Sequence, residues 1–178
     1  MDYLKIIDRY YLKKPKLRRL LLRHSTDVAN KALAIAACHP ELFIDQQFVL
    51  EAAMLHDIGI YKTKARGIHC HGTEPYLRHG ILGAELLRNE GLHRHALVCE
   101  RHTGVGLTKE DIIAEQLPLP HFDFVPVSIE ERLICFADCF FSKSKPEKEK
   151  QPDEIRRKME KYGSRAQKQF DIWCQLFL

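Results

Sequence analysis

The stretch Leu55-His56-Asp57-Ile58-Gly59 sets an imidazole beside a carboxylate at the end of an apolar run, Phe48 to Leu55, just ahead of a glycine. Neighbouring side chains on a helix point about 100° apart, so His56 and Asp57 form a corner that can approach a cation from two directions. Val49, Ala52 and Ala53 share the apolar stripe with His56. An imidazole or carboxylate facing a core has to find a partner. A helix-end salt bridge or a C-cap would also satisfy the pair, since helix C-termini attract histidine. The choice between these readings depends on what else the chain brings to meet it.

Four further segments bring candidates. Pro15 fits the first turn of a helix running to about Cys38, on which Leu17, Leu20, Leu21, His24 and Val28 form one stripe. Taken alone, His24 is a core histidine bonded to a carbonyl or to Asp27. A helix over about 76–90, closed by Gly91, puts His79, Leu82, Gly83 and Leu86 on one face, with Gly83 open to a neighbouring backbone. Another near 93–103 groups His95, Cys99 and His102 and stops at Gly104. Ser128-Ile-Glu-Glu131 reads as a capping box opening a helix to about Phe141, and along it Glu131, Ile134, Cys135 and Asp138 share a face. Asp138 sits among Ile134, Cys135 and Phe141, where a carboxylate without a cation is costly and one beside a metal is expected. Successive helices thus each offer an inward ligand type, and the core of a helical bundle is where facing helices build metal sites.

The remaining elements must hold these residues in place. At 178 residues, 45% hydrophobic and 29% charged, the chain suits one all-α domain with a real core. It has no apolar run of transmembrane length and no signal-peptide pattern, which points to the cytoplasm. Six scattered cysteines without a CxxC read as reduced structural thiols. Net charge is +4, unevenly placed: residues 1–23 hold eight Lys or Arg against two acids and residues 143–168 ten against five, while all ten histidines lie in the more acidic middle. Such a centre between basic ends suits metals beside a phosphate, and solvated helix faces account for the same lysines. No RNP, KH or zinc-finger pattern supports nucleic-acid binding.

A short helix over 3–12 precedes the second one, and Asp45 is the N-cap expected for the helix ending in the doublet. Residues 60–75 read as a loop in which Lys62, Lys64 and Arg66 are phosphate-contact candidates and His69 and His71 line a site mouth or do nothing. A short helix over 108–115 has Asp111 at a capping-box position, and the proline-rich 116–126 forms an irregular cover. A lysine-rich linker over 142–151 offers Lys143 and Lys145. A last helix over 152–177 carries the stripe Ile155, Met159, Tyr162, Ala166, Phe170, Trp173 and Phe177, read as core or as the contact of a homodimer. There is no Walker loop, dinucleotide fingerprint or internal repeat.

The order His24, His56-Asp57, His79, His102, Asp138, with the contexts Leu-His-Asp-Ile-Gly59, Arg-His-Gly-Ile-Leu-Gly83, Glu-Arg-His-Thr-Gly104 and Phe-Ala-Asp138, resembles the HD superfamily of metal-dependent phosphohydrolases over about residues 17–145. The resemblance implies an all-helical fold in which His24, His56, Asp57 and Asp138 hold one divalent metal. It further implies that His79 and His102 hold a second, with Asp57 bridging. The small bacterial subgroup with an HDIG-like doublet, which includes symmetrical dinucleoside tetraphosphatases, is the most similar. Ile60-Tyr61-Lys62 stands where common versions place a lysine directly after the doublet motif, and the GYP signature of cyclic-di-GMP phosphodiesterases is missing.

Imidazole and carboxylate without thiolate suit iron or manganese, with zinc, nickel, cobalt and magnesium as other divalent candidates. The expected activity is attack of a metal-bound water on a phosphoester or phosphoanhydride of a nucleotide-like substrate. Asp57 or Asp138 would orient or deprotonate that water, Lys62 is a further catalytic candidate, and Lys62, Lys64, Arg66, Arg101 and Lys143 would neutralise phosphates. Glu131 is the expected acceptor behind a ligand imidazole. Two alternatives belong to other classes: a mixed-valence di-iron oxygenase of the same ligand pattern, and a non-catalytic metal-containing nucleotide-binding module.

Overall fold

A computed structural model describes residues 1–144 and 148–178, so Lys145 lies outside the described residues. The chain folds as α1 (Tyr3–Tyr11), α2 (Pro15–Cys38), α3 (Gln46–Leu55), α4 (His79–Asn89), α5 (His93–Arg101), α6 (Lys109–Ala114), α7 (Ile129–Cys139), α8 (Pro152–Glu160) and α9 (Ser164–Phe177). The loop between α3 and α4 holds a two-residue antiparallel ladder, β1 (Lys64–Ala65) with β2 (Cys70–His71), and short 3-10 turns. The all-α expectation holds. Among the described residues no helix is long and apolar enough to cross a membrane.

Local chemistry accounts for most boundaries. The Asp45 side chain accepts from the Phe48 N–H and opens α3, and Thr108 and Asp111 form a reciprocal capping box on α6. Gly91, at φ +75°, closes α4: its N–H donates to the Arg88 carbonyl while the Leu92 N–H reaches Leu87, the paired bonds of a Schellman end. Ser128 caps α7 by accepting from the Glu131 N–H, but only half of the expected box forms. The Glu131 carboxylate takes the Val127 N–H and the Arg101 guanidinium instead.

The expected last helix is two. Gly163, at φ +93°, breaks it into α8 and α9, a backbone conformation that costs glycine little. Every residue of the apolar stripe except Tyr162 is buried in the chain's own core, so the feature behind the homodimer expectation is largely spent on packing.

Two apolar clusters make up that core. One gathers the C-terminal half of α2, most of α3, α7, α8 and α9 around Phe136, Phe170 and Trp173. The other gathers α1, the N-terminal half of α2, Ile58, Ile60, α4 and α5 around Tyr11, Leu21 and Leu87. Along α2 the change of cluster falls between Leu21 and Val28, where His24 stands; at the end of α3 it falls between Met54 and Leu55, immediately before the doublet. The polar candidates therefore lie on the seam between two greasy bodies.

Glycines let the seam close. A Cβ on Gly59 would strike the His79 carbonyl oxygen and the Gly83 nitrogen, both backbone atoms. The turn after the doublet thus lies directly on α4, as expected for Gly83. Gly59→Ala is expected to cost about 1–3 kcal/mol by overpacking against atoms that cannot rotate away. Chemical denaturation would show it as a lowered midpoint at constant slope; an unchanged midpoint would contradict this close approach.

Candidate metal centre

The doublet sits one step later than the helical reading has it. His56 is the C-cap of α3 and Asp57 has left the helix, at φ −106° and ψ 11°. Leaving the helix turns the carboxylate so that its two oxygens face different partners. Asp57 Oδ2 lies 3.2 Å from His24 Nε2 and 3.1 Å from His56 Nε2, while Oδ1 lies 3.4 Å from His79 Nε2 and 3.5 Å from His102 Nε2. Asp138 Oδ1 completes the first group, 2.9 Å from His24 Nε2 and 3.7 Å from His56 Nε2. The six candidates read from sequence thus converge. His24 faces these two carboxylates, whereas Asp27 lines a surface groove with Arg19 and Arg23.

The protonation of three imidazoles follows from their other nitrogen. Nδ1 of His56 lies 2.6 Å from the Ala53 carbonyl oxygen, that of His79 2.8 Å from Tyr76 and that of His102 2.7 Å from Cys99. A carbonyl oxygen only accepts, so Nδ1 carries a proton and Nε2 of the neutral ring offers its lone pair inward. Nε2 of His79 and of His102 then face each other at 3.1 Å. Nε2 of His24 and His56 and both oxygens of Asp57 are buried, and among the described residues they face the other members of the cluster and the Lys143 ammonium. Buried lone pairs and negative charge turned on one another need a cation. The donor set fits a divalent metal on this ground: His24, His56 and Asp138 supply ligand atoms within 4.8 Å of one another, as do His56, Asp57 and His102.

Electrostatics agree. Burial would raise the Asp57 carboxyl, but Lys143, His56 and the other imidazoles hold it well below the usual range. Asp138 is held low in the same way by Lys143, His24 and His56. Burial would lower His56, yet Asp57 and Asp138 push it up to about 10. Burial and the neighbouring His102 take His79 down to about 3. One end of the cluster holds an imidazole onto a proton and the other refuses one, so a metal entering competes with a proton chiefly at His56.

Other expected residues fall into two sets. Lys143 reaches the centre, its Nζ 2.6 Å from Asp57 Oδ2, and with Arg66 it lines a cavity of about 620 Å³ that opens from His79, His102 and Asp138. Lys62, Lys64 and Arg101 do not line it. Lys62 is 3.9 Å from Glu85, Lys64 is exposed on β1, and Arg101 is turned to Glu131. His69 and His71 are exposed and lie off the cavity. His95, grouped by spacing with His102, packs instead on Phe48 and lies 3.5 Å from Glu51. Glu131, the expected acceptor behind an imidazole, is replaced by backbone carbonyls three residues back. The sequence reading missed Tyr76, whose carbonyl orients His79 and whose ring stacks on it at 4.8 Å. It also missed Cys99, whose Sγ–H donates to the His56 carbonyl at 2.9 Å.

Residues 21–141 match the family described as the HD domain. The chain belongs to the HD-domain family. It is 38% identical over 128 residues to a tRNA (cytidine(56)-2′-O)-methyltransferase of Picrophilus torridus, covering 71% of this chain and 33% of that protein. It is 34% identical over 126 residues to a methyltransferase of the same description from Thermoplasma volcanium, 70% of this chain and 32% of that one. An uncharacterized protein of Methanocaldococcus jannaschii is 37% identical over 121 residues, 66% of this chain and 64% of its own length. The chain thus spans about a third of the two methyltransferases and under two thirds of the third relative. No solved structure matches.

The place of Asp57 between two pairs of imidazoles makes a prediction about metal content. Asp57→Ala is expected to abolish divalent-metal binding, His79→Ala to lower metal content less, and neither to change the helical circular-dichroism signal. Elemental analysis of untagged protein checks it. Full metal content in Asp57→Ala would remove Asp57 from the ligand set.

Proposed function

We propose that this HD-domain protein is a metal-dependent phosphohydrolase acting on a phosphoester or phosphoanhydride of a nucleotide-like substrate. One observation carries the reading: a carboxylate whose two oxygens each face two imidazoles lies at the inner end of a cavity that also holds an ammonium group. Iron or manganese best suits such an all-nitrogen and oxygen set with a shared carboxylate. A bound divalent pair would supply an acidified water as nucleophile and a Lewis acid for the phosphoryl oxygens.

The chain's own groups divide the remaining work by position. His24, His56 and Asp57 do not line the cavity, and their role is to hold. His79, His102 and Asp138 do line it, so substrate reaches the centre from their side. Asp138, 17% exposed at the side chain, is the carboxylate a water at the cavity floor can reach, and we assign its Oδ2 the proton taken from that water. Lys143 Nζ, already at Asp57, is within reach of an anionic oxygen brought to the same place, and we assign it the neutralisation of the phosphoryl group. Arg66 stands further out on the wall, for a phosphate on its way in.

Two thirds of each named methyltransferase lies outside the matched segment, so methyl transfer is a property stated of those proteins. The test is a screen of metal-supplemented protein against bis(p-nitrophenyl) phosphate, nucleoside phosphates and dinucleoside polyphosphates. Phosphate or p-nitrophenol release is expected, with Asp138→Asn and Lys143→Met each lowering kcat by about 10²- to 10⁴-fold. Oxygen uptake without phosphate release would replace this reading with the oxygenase. Nucleotide binding without turnover under any metal would replace it with a regulatory module.

A further inference from the structure

The matched family segment ends at residue 141, yet the cavity that leads to the centre does not. Its outer wall is built by Lys150, Lys158, Met159, Tyr162 and Arg165, from the approach to α8, α8 itself, the Gly163 break and the start of α9. Two features of this wall look unfinished. Lys150 and Lys158 both line the cavity and lie close enough for Lys158, along with burial, to lower the Lys150 ammonium. Lys150 Nζ donates to the Cys139 and Phe141 carbonyls, at 2.6 and 2.7 Å, and among the described residues no carboxylate lies within ion-pair distance of either lysine. Arg165 spends one Nη on the Gly106 carbonyl and on Asp111, while its Nε is buried with no partner.

Lys143 and Lys150 are half-buried, and half-buried cations normally settle beside carboxylates, while Lys158 is exposed beside them. Here Lys143, Lys150 and Lys158 line one cavity, and among the described residues their one ion pair with a carboxylate is that of Lys143 with Asp57. Leu107, Leu117 and Phe141 on the same walls provide apolar surface between the charged points. A pocket of this size, mostly apolar with a few convergent polar groups, is the usual form of a small-molecule site.

We propose that the outer wall is a subsite for a second phosphate, so that the preferred substrate is a nucleotide carrying at least one phosphate beyond the one held at the metal centre. Lys158 is its specificity-determining residue and Lys150 its support. The proposal rests on the hydrolase reading only in taking the metal end as the seat of the first phosphate. Phosphates joined in a chain and phosphates on separate positions of one nucleoside present the same chemistry to this wall, and the probes below separate them.

Calorimetry on metal-loaded protein would compare adenosine 5′-monophosphate, adenosine 5′-triphosphate and adenosine 3′,5′-bisphosphate, with KM replacing Kd for any probe that is hydrolysed. The wild type is expected to favour one multiply phosphorylated probe over the monophosphate by about ten-fold, as for a charge-assisted contact. Lys158→Ala should shrink that ratio to about two-fold and Lys158→Glu should abolish it; Lys158 is exposed, so both variants fold. Preference for the triphosphate indicates linked phosphates, and preference for the bisphosphate separate ones. Equal affinity for all three probes in the wild type, or a ratio unmoved by Lys158→Glu, overturns the subsite. Absence of phosphate release from every probe strikes the hydrolase reading instead, and the affinity ratio still decides this one.

Discussion

Asp57 is a carboxylate with no solvent exposure, buried among imidazoles with an ammonium on one oxygen. Left alone, such a group costs several kcal/mol, more than a marginally stable domain of this size can spare. Everything near it supplies positive charge or the means to hold it: four imidazoles around its two oxygens and the Lys143 ammonium on one of them. The surrounding fold is arranged so that these groups meet where the two apolar clusters end. A polar centre inside either cluster would break its packing. On the seam it is enclosed by both and interrupts neither.

Holding three of the four imidazoles without adding polar groups to the core is done with backbone. His56 and His102 are the C-caps of α3 and α5, and each donates Nδ1–H to a carbonyl three residues back. Those carbonyls belong to the last turn of each helix, where no intrahelical donor remains for them. The same bond satisfies a helix end, fixes the tautomer and aims Nε2 at Asp57. His79 does the equivalent with the Tyr76 carbonyl as the 3-10 turn passes into α4. The ligand geometry is therefore set by where helices stop, and helix ends are fixed by local sequence such as the Gly91 closure and the glycine after the doublet.

That dependence explains what could be read from the chain alone. The ligand set was legible because each member is a polar residue on an apolar stripe, a conflict that the sequence itself displays. The spans of α2, α3 and α4 were legible from Pro15, Asp45 and Gly91. The break at Gly163 was not, since the apolar stripe continues across it in nearly helical register. Arg101 and Glu131 were read as a phosphate contact and an acceptor behind an imidazole, because spacing puts each near the site. Which of two neighbouring charges turns toward the other is a tertiary fact, and here they neutralise one another at 3.1 Å. Lys62 illustrates the same limit. Proximity in sequence to the doublet says little once a 3-10 turn has rotated the chain, and the lysine that reaches Asp57 comes from 86 positions further along, at Lys143.

The two carboxylates of the centre are equivalent in type and unequal in surroundings, and that inequality orders the chemistry. Asp57 is wholly enclosed and answered on both oxygens, so any proton offered to it would have to displace a partner. Asp138 shares a bond with His24 through Oδ1 but keeps partial exposure and faces the cavity. A group that must take up and release a proton in each turnover needs contact with the side from which water and substrate arrive, and a group that must keep its charge needs the opposite. Under the proposed hydrolase function, enclosure suits Asp57 to binding and Asp138 to proton transfer. The enclosure is itself a product of where α3 ends and α7 lies against α2. Under the proposed subsite, substrate choice falls to the wall built by α8 and α9, outside the matched segment of residues 21–141.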